Sequence, residues 1–355
     1  MRSRWIAGLF VLLFLVSAAW GAQAAWDGLS VHFIDVGQAE AALLQSAECT
    51  ILIDAGGPDG SEVVDYLRSL GVENIDLFIV THPHADHIGQ AVQVLGGFSV
   101  AEVWMSGYEH YTPAFEELVD AVLASDAAYY EPRTGYEQSW GGLTLQVLNP
   151  AQLRGTAHQD CLVVKATYGE ISFLFTGDAE KNTEAELVQE GLPLEAQVLQ
   201  LGHHGSRTSS SLGFLLAVNP KLAIYSAGLG NDYGHPHGEV VDRLRILGIP
   251  VFGTDQYGTI VIKTDGQSCE LSASRWEEQP SLQCVDLNTA SFGELQRIVH
   301  IGPERAQQII EERAKRPFRS IDELALRIEG IGEKRLADIK AQGLACVKEV
   351  SDGKQ

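Results

Sequence analysis

The hydrophobic pattern of the chain predicts short strands and helices in alternation. Residues 31–80 hold three strand-length apolar runs, a helix over 61–70 and a fourth strand over 77–80, and a helix over 88–95 follows. Further elements are strands over 143–148, 162–168, 171–175 and 198–201 and an amphipathic helix over 239–247. The pattern therefore predicts a mixed α and β fold.

The first 24 residues have a different pattern. The chain begins with a basic segment that contains Arg2 and Arg4. An apolar run over residues 6–20 follows, and then the sequence Ala22-Gln23-Ala24, which matches a signal-peptidase cleavage site. This is typical of a cleaved signal peptide, with an uncleaved anchor as the alternative. No later run is long enough to span a membrane. We therefore expect a secreted or periplasmic mature protein without a transmembrane span.

Length and charge divide the remaining chain in two. Residues 27–284 hold 11 Lys and Arg against 35 Asp and Glu, whereas residues 285–348 hold 11 against 10. We expect a first domain over 27–275, a polar linker over 276–284, a second domain over 285–348 and a polar tail over 349–355. The acidic first domain should repel polyanions away from any bound metal, so it should not bind nucleic acid tightly by itself.

The five cysteines are too few and too scattered for a disulfide scaffold or a cysteine-rich zinc module. In an oxidising compartment, a bridge between Cys269 and Cys284 would tie the last strand to the linker. We expect Cys161, in an apolar strand, to be a small buried residue.

The candidate chemistry is concentrated in residues 81–87, Thr-His-Pro-His-Ala-Asp-His, directly after the strand over 77–80. Neutral imidazoles and carboxylates are ligands for Zn²⁺, Mn²⁺ or Fe²⁺. His82 and His84 lie two apart and can face one metal, while Asp86 and His87 can turn to a second. We interpret this strand-to-helix loop as a site for two metal ions.

This motif, together with residues 31–38, 175–178 and 202–206, resembles the metallo-β-lactamase superfamily, and within it the hydrolase domain of ComEC-type DNA-uptake proteins. The resemblance covers about residues 30 to 275. It implies a four-layer αββα sandwich in an α+β chain, with two divalent metal ions, zinc in the first place and manganese as the alternative. Glu40 and Ala39 depart from the ComEC-like pattern, which usually has Asp and Gly there.

The resemblance also implies a ligand set. His158 falls at the third histidine of the first metal, although it could be a surface loop residue. Asp178 matches the bridging carboxylate, and His203 is favoured over His204 to complete the second metal. His204 and Asp54 would then support the ligands or replace one of them, with an ordinary strand-end cap as the alternative for Asp54.

Two further features near the site carry candidate roles. His235, in an Asn-x-Tyr-x-His-Pro pattern, is a candidate to stabilise an oxyanion or protonate a leaving oxygen, and Asp86 could help to orient the nucleophile. His237 is expected to be structural. Hydroxyls and helix amides around Ser206, Ser209 and Ser210 could bind phosphate, with plain helix capping as the alternative.

The segment after residue 285 resembles the paired helix-hairpin-helix of ComEA-type DNA receptors and implies a small all-α domain. Residues in its two turns, and two basic residues that follow the second turn, are expected to contact DNA. They are Gly302, Gly330, Gly332, Lys334 and Arg335. We expect the turn glycines, Gly332 among them, to adopt positive φ. His300 stands where the first turn usually has glycine. The alternative is a protein-binding or dimerisation module.

Together these patterns predict an exported two-metal hydrolase of phosphodiester bonds, joined to a DNA-binding module without sequence preference. The alternatives are a metal-dependent hydrolase of a lactone, thioester or other ester, and a DNA receptor with a degraded catalytic domain.

Overall fold

A computed structural model describes residues 28–275, 285–296, 298–342 and 344–347. Two compact units divide the chain between Trp276 and Glu277. The predicted signal peptide, linker and polar tail lie outside the described residues. Within the described ranges, no helix is long and apolar enough to cross a membrane.

The first unit contains two large sheets and a short strand pair. Its strands are β1 (Leu29–Phe33), β2 (Ala42–Gln45), β3 (Thr50–Ile53), β4 (Asn74–Ile75), β5 (Leu77–Ile79), β6 (Ser99–Val100), β7 (Glu102–Trp104), β8 (Ala128–Tyr130), β9 (Glu137–Trp140), β10 (Leu143–Asn149), β11 (Val163–Tyr168), β12 (Ile171–Phe175), β13 (Val198–Gln200), β14 (Leu222–Tyr225), β15 (Val251–Gly253), β16 (Ile260–Thr264) and β17 (Cys269–Ala273).

The two sheets have matching mixed topologies. The first has the order β17-β16-β1-β2-β3-β5-β7-β8 and the second β15-β14-β13-β12-β11-β10-β9, while β4 pairs with β6. Strands β3, β5, β7 and β8 run parallel to one another, as do β12 to β15 and the pair β4 and β6. The remaining neighbours in the two large sheets are antiparallel. Parallel neighbours end at the same edge of a sheet, so the loops after them meet there.

Helices cover the outer face of each sheet. They are α1 (Glu62–Ser69), α2 (Ala85–Ile88), α3 (Ala91–Gly97), α4 (Pro113–Ala124), α5 (Lys181–Gln189), α6 (Leu212–Val218), α7 (Gly238–Ile246) and α8 (Thr254–Tyr257), with a 3₁₀ turn at Gly202–Gly205.

Successive side chains of each strand point to opposite faces of its sheet, and the buried apolar side chains form three layers. Ile51 and Ile53 of β3 point into a core shared with Phe173 and Phe175 of the second sheet. Leu52, between them, instead packs against α1, α3 and α4. The outer face of the second sheet packs in the same way against α5, α6 and α7. This period of two is that of a β-strand, and it confirms the expected αββα sandwich.

The helix predicted over residues 88–95 is divided at Gly89 and Gln90. Gly89 donates its N–H to the carbonyl of Gly56 at 2.9 Å, and a Cβ there would lie 2.1 Å from the carbonyl carbon of Gly57. The glycine therefore allows the segment after β5 to pack directly on the backbone of the loop after β3.

The described residues of the second unit form four helices and one short parallel strand pair. Its elements are β18 (Val285–Asp286), α9 (Phe292–Leu295), α10 (Pro303–Lys315), α11 (Glu323–Arg327), α12 (Glu333–Gln342) and β19 (Ala345–Cys346). A core of its own includes Leu295, Ile309, Leu324 and Ile339. The strand pair joins residues 285–286 to residues 345–346 and was not expected from the sequence.

The predicted bridge between Cys269 and Cys284 is wrong. Cys269 is a free thiol that is 5% exposed in β17, and burial raises its pKa to about 11. Cys346 is disulfide-bonded. Cys161 is buried and free, which confirms the expectation for that residue. Cys284 lies outside the described residues.

Candidate metal centre

Loops at one edge of the two sheets deliver the candidate ligands. The segment after β5 carries His82 to His87, and the segment after β12 carries Asp178. The 3₁₀ turn after β13 carries His203 and His204. His158 lies in the loop before β11, which runs antiparallel to β12 and therefore starts at the same edge. Residues distant in sequence meet because the strand ends meet.

The first group of ligand atoms comprises His82, His84, His158 and Asp178, all within 4.8 Å of one another. Nε2 of His82 lies 3.0 Å from Nδ1 of His84 and 3.5 Å from Oδ2 of Asp178. Burial lowers the pKa of His82, and it lowers the pKa of His84 to about 4. Both imidazoles are therefore neutral at pH 7 and each has a lone pair for a cation.

The second group comprises Asp86, His87 and His204. Nε2 of His204 lies 3.2 Å from Oδ2 of Asp86. The sequence interpretation favoured His203 at this position, but the structure groups His203 with His158 and Glu180. Both residues of the pair adopt positive φ, 53° and 57°, and this tight turn directs the two side chains to different neighbours.

Asp178 faces both groups with different oxygens. Its Oδ2 lies toward His82, His158 and His203, while its Oδ1 lies 3.3 Å from Nε2 of His87. The residue is 1% exposed. Burial opposes ionisation, yet His87 and His82 hold the pKa of Asp178 well below its usual value. A carboxylate in this position can be shared between two cations.

Hydrogen bonds behind the site fix the imidazoles with Nε2 turned inward. The buried carboxylate of Asp54 accepts from Nδ1 of His87 at 2.7 Å and from the hydroxyl of Thr81 at 2.7 Å. That hydroxyl in turn accepts from Nδ1 of His82, and the carbonyl of Ser226 accepts from Nδ1 of His204. Both oxygens of Asp54 accept hydrogen bonds, from Thr81 and His87, so this carboxylate lies behind His87.

The donor set fits divalent cations. Nε2 of His87, Nε2 of His158 and Oδ1 of Asp178 are buried and lack a hydrogen-bond partner within the described part of the chain. Unpaired buried polar atoms are costly, and cations bound at the two groups would satisfy them. Nitrogen and carboxylate ligands of this kind suit zinc or manganese.

Two glutamates near the centre were not predicted as site residues. Glu40 is 3% exposed, groups with His87 and Asp178, and has its pKa raised to about 8 by burial. Its position in the ComEC-like segment was the only available signal. An oxygen of Glu180 lies 3.6 Å from Nδ1 of His158 and of His203, and nothing in the sequence marked it.

His235 lies beside the second group. Its ring centroid is 5.8 Å from that of His203 and 6.0 Å from that of His204. Burial lowers the pKa of His235 to about 4, so the ring is neutral at pH 7. His237 instead accepts a hydrogen bond from the amide of Arg207 and is the N-cap of α7, as a structural residue would be.

The serines do not form the expected phosphate pocket. Ser209 and Ser210 are fully buried, and the hydroxyl of Ser209 donates to the carbonyl of Ala179. The amides of Ser210 and Ser211 donate to the carboxylate of Glu184, which occupies the place that a phosphate would need. The hydroxyl of Ser206 is also internal and accepts from Thr208.

The metallo-beta-lactamase superfamily model matches residues 34–228, which include both groups of ligands. The chain belongs to this superfamily. A helix-hairpin-helix motif model matches residues 281–342. The first unit is therefore a metal-dependent hydrolase domain, and the second carries a motif associated with DNA binding.

Several curated relatives are similar to parts of this chain. ComE operon protein 3 of Bacillus subtilis (strain 168) is 32% identical over 250 residues, covering 65% of this chain and 32% of its own. Competence protein ComA of Neisseria gonorrhoeae is 32% identical over 234 residues, covering 64% and 31%. A deoxyribonuclease of Thioalkalivibrio sp. (strain K90mix) is 45% identical over 65 residues, covering 18% and 17%. The match spans about a third of the two competence relatives.

The turns of the second unit repeat one geometry at an interval of thirty residues. Positive φ occurs at His300 (65°) and Gly330 (76°), and the expectation of positive φ at Gly332 is wrong. Arg305 donates to the carbonyl of His300, and Arg335 donates to that of Gly330. Gly302 precedes α10 as its N-cap, Gly332 has open space at its Cβ position, and Lys334 is exposed.

The pair His203 and His204 offers a matched test of the second group, since both residues share a positive φ. We predict that His204→Ala retains about one metal ion per chain, because Asp86 and His87 lose their imidazole partner. His203→Ala should retain about two. Elemental analysis of zinc-loaded protein after gel filtration measures both. Loss of metal in His203→Ala alone would restore the assignment made from the sequence.

Proposed function

We propose that this hydrolase cleaves DNA phosphodiester bonds with two divalent cations, zinc or manganese, and that its second unit binds DNA without sequence preference. The observation that carries the proposal is the carboxylate of Asp178, which faces two separate ligand groups with its two oxygens. Paired cations suit in-line displacement at phosphorus, because both the attacking and the leaving oxygen need stabilisation.

The roles of the side chains follow from their positions. Two bound cations would neutralise phosphate charge and activate a water molecule. His82, His84, His158 and Asp178 would hold one cation, and Asp86, His87 and His204 the other. Asp54 keeps His87 in the ligating tautomer. His235, neutral and beside the second group, is placed to hydrogen-bond the phosphate.

The helix-hairpin-helix motif supports DNA as the substrate. The first unit is strongly acidic, so binding of a long polyanion should depend on the second unit. Backbone amides at hairpin turns and exposed basic side chains such as Lys334 contact phosphates. Relatives named for competence and as a deoxyribonuclease agree with this substrate. Export to the periplasm or the medium, with DNA uptake or degradation there, is part of the proposal.

A second candidate function is hydrolysis of an ester, lactone or phospho-ester that is not nucleic acid. The observation that favours it is the acidic charge of the first unit, which repels polyanions around the cleft. The second unit would then bind a protein.

Incubation of the metal-loaded protein with a small phosphodiester, single-stranded DNA and duplex DNA tests the main proposal. We expect cleavage in the wild type and a loss of kcat on the order of 10³-fold in Asp178→Asn. Asp126→Asn removes a charge at an exposed position and should have wild-type activity. Hydrolysis of carboxylic esters or lactones without any phosphodiester cleavage would favour the second candidate.

Charge reversal at Lys334 tests the second unit in the intact chain. Lys334→Glu should weaken DNA binding and reduce the slope of log K against log salt by about one unit, because one phosphate contact is lost. The kcat for a small phosphodiester should not change. Lys221→Glu makes the same charge change on the surface of the first unit and serves as the control. Unchanged DNA affinity in Lys334→Glu would indicate a protein-binding module.

A further inference from the structure

Gln38 lies between two loops at the rim of the metal centre. Its Oε1 accepts a hydrogen bond from the amide of Gly228 at 3.0 Å, and its Nε2 lies 3.3 Å from Nδ1 of His235. A backbone N–H can only donate, so the carbonyl end of the Gln38 amide must face Gly228. The NH₂ end must then face the imidazole, where it donates to Nδ1.

Hydrogen bonds with Asn231 hold the backbone of His235 next to Gln38. The amide of His235 donates to Oδ1 of Asn231 at 3.0 Å, and Nδ2 of Asn231 donates to the carbonyls of His235 and Gly228. The same asparagine therefore holds the backbone of His235 and the residue to which Gln38 is anchored. The backbone of His235 is thus held relative to the anchored amide of Gln38.

Gly228 allows the two loops to approach closely enough for this contact. A Cβ at this position would lie 2.9 Å from the backbone nitrogen of Gln38. Gln38 also follows Asp35, whose amide donates to Thr259 and whose carboxylate pairs with Arg275. The loop that carries Gln38 is thus tied to the strands beneath it.

We propose that Gln38 is a positioning residue that holds His235 in the neutral tautomer protonated on Nε2, so that His235 donates a hydrogen bond to the substrate phosphate. An imidazole that accepts at Nδ1 carries its proton on Nε2. This inference rests on the proposed phosphodiesterase function. Of the two roles open to His235, it selects the oxyanion donor over the proton-transferring acid, because a neutral ring keeps its Nε2 proton.

Nitrogen NMR of histidine-labelled, zinc-loaded protein reads the tautomer directly. The His235 signals are identified from their absence in His235→Asn. We expect the proton on Nε2 in the wild type. In Gln38→Glu, a carboxylate oxygen faces the ring and can only accept, so the proton should move to Nδ1. A wild-type proton on Nδ1, or the same tautomer in Gln38→Glu, would overturn the inference.

Kinetics then connect the tautomer to the reaction. Gln38→Glu should lower kcat for a small phosphodiester on the order of 10²-fold, with metal content unchanged. Gln38→Met, which lacks both the donor and the charge, should lower kcat less. Gln267→Glu, on the turn at the opposite end of β16 from Thr259, adds the same charge and should behave as wild type. Equal kcat in Gln38→Glu and wild type would contradict the positioning role.

These measurements separate the two claims. If the wild type cleaves no phosphodiester, the proposed function fails, but the NMR comparison still decides whether Gln38 sets the tautomer of His235. If phosphodiesters are cleaved and the tautomer does not respond to Gln38, only the positioning inference is lost.

Discussion

The buried carboxylate of Asp178 is the group on which the arrangement of the centre depends. Burying an anion is costly unless positive charge or hydrogen-bond donors surround it. Around Asp178 the Nε2 atoms of His82, His87, His158 and His203 lie 3.3–3.9 Å away. Two of these rings, those of His82 and His87, are held with Nε2 inward by hydrogen bonds behind them. Divalent cations bound among these atoms would stabilise the carboxylate further and satisfy the buried polar atoms that lack a partner in the described part of the chain.

The fold supplies this arrangement through the shared edge of its two sheets. Parallel strands β12, β13 and β14 end side by side, and the loops after them carry Asp178, the histidine pair and the segment that leads to His235. The other sheet brings Asp54 after β3 and the segment from His82 to His87 after β5. Close backbone approaches at Gly89 and Gly228 keep these loops together. The same packing that stabilises the sandwich therefore sets the distances within the centre.

Much of this was predictable, and the exceptions have physical causes. Period-two alternation gave the strands, and the spacing of His82, His84, Asp86 and His87 indicated two metal positions. Adjacent residues such as His203 and His204 cannot be distinguished by spacing, because the turn geometry decides which ring faces which ligand. The serine prediction was wrong because Glu184, from another element, occupies the amides. Tertiary contacts of this kind leave no local pattern.

Anomalous diffraction from crystals of the zinc-loaded wild-type protein tests the central claim most directly. The account predicts two zinc peaks about 3.5–4 Å apart, with one oxygen of Asp178 on each. One peak should lie among His82, His84 and His158, and the other among Asp86, His87 and His204. A single peak, or two peaks that do not share Asp178, would contradict the account.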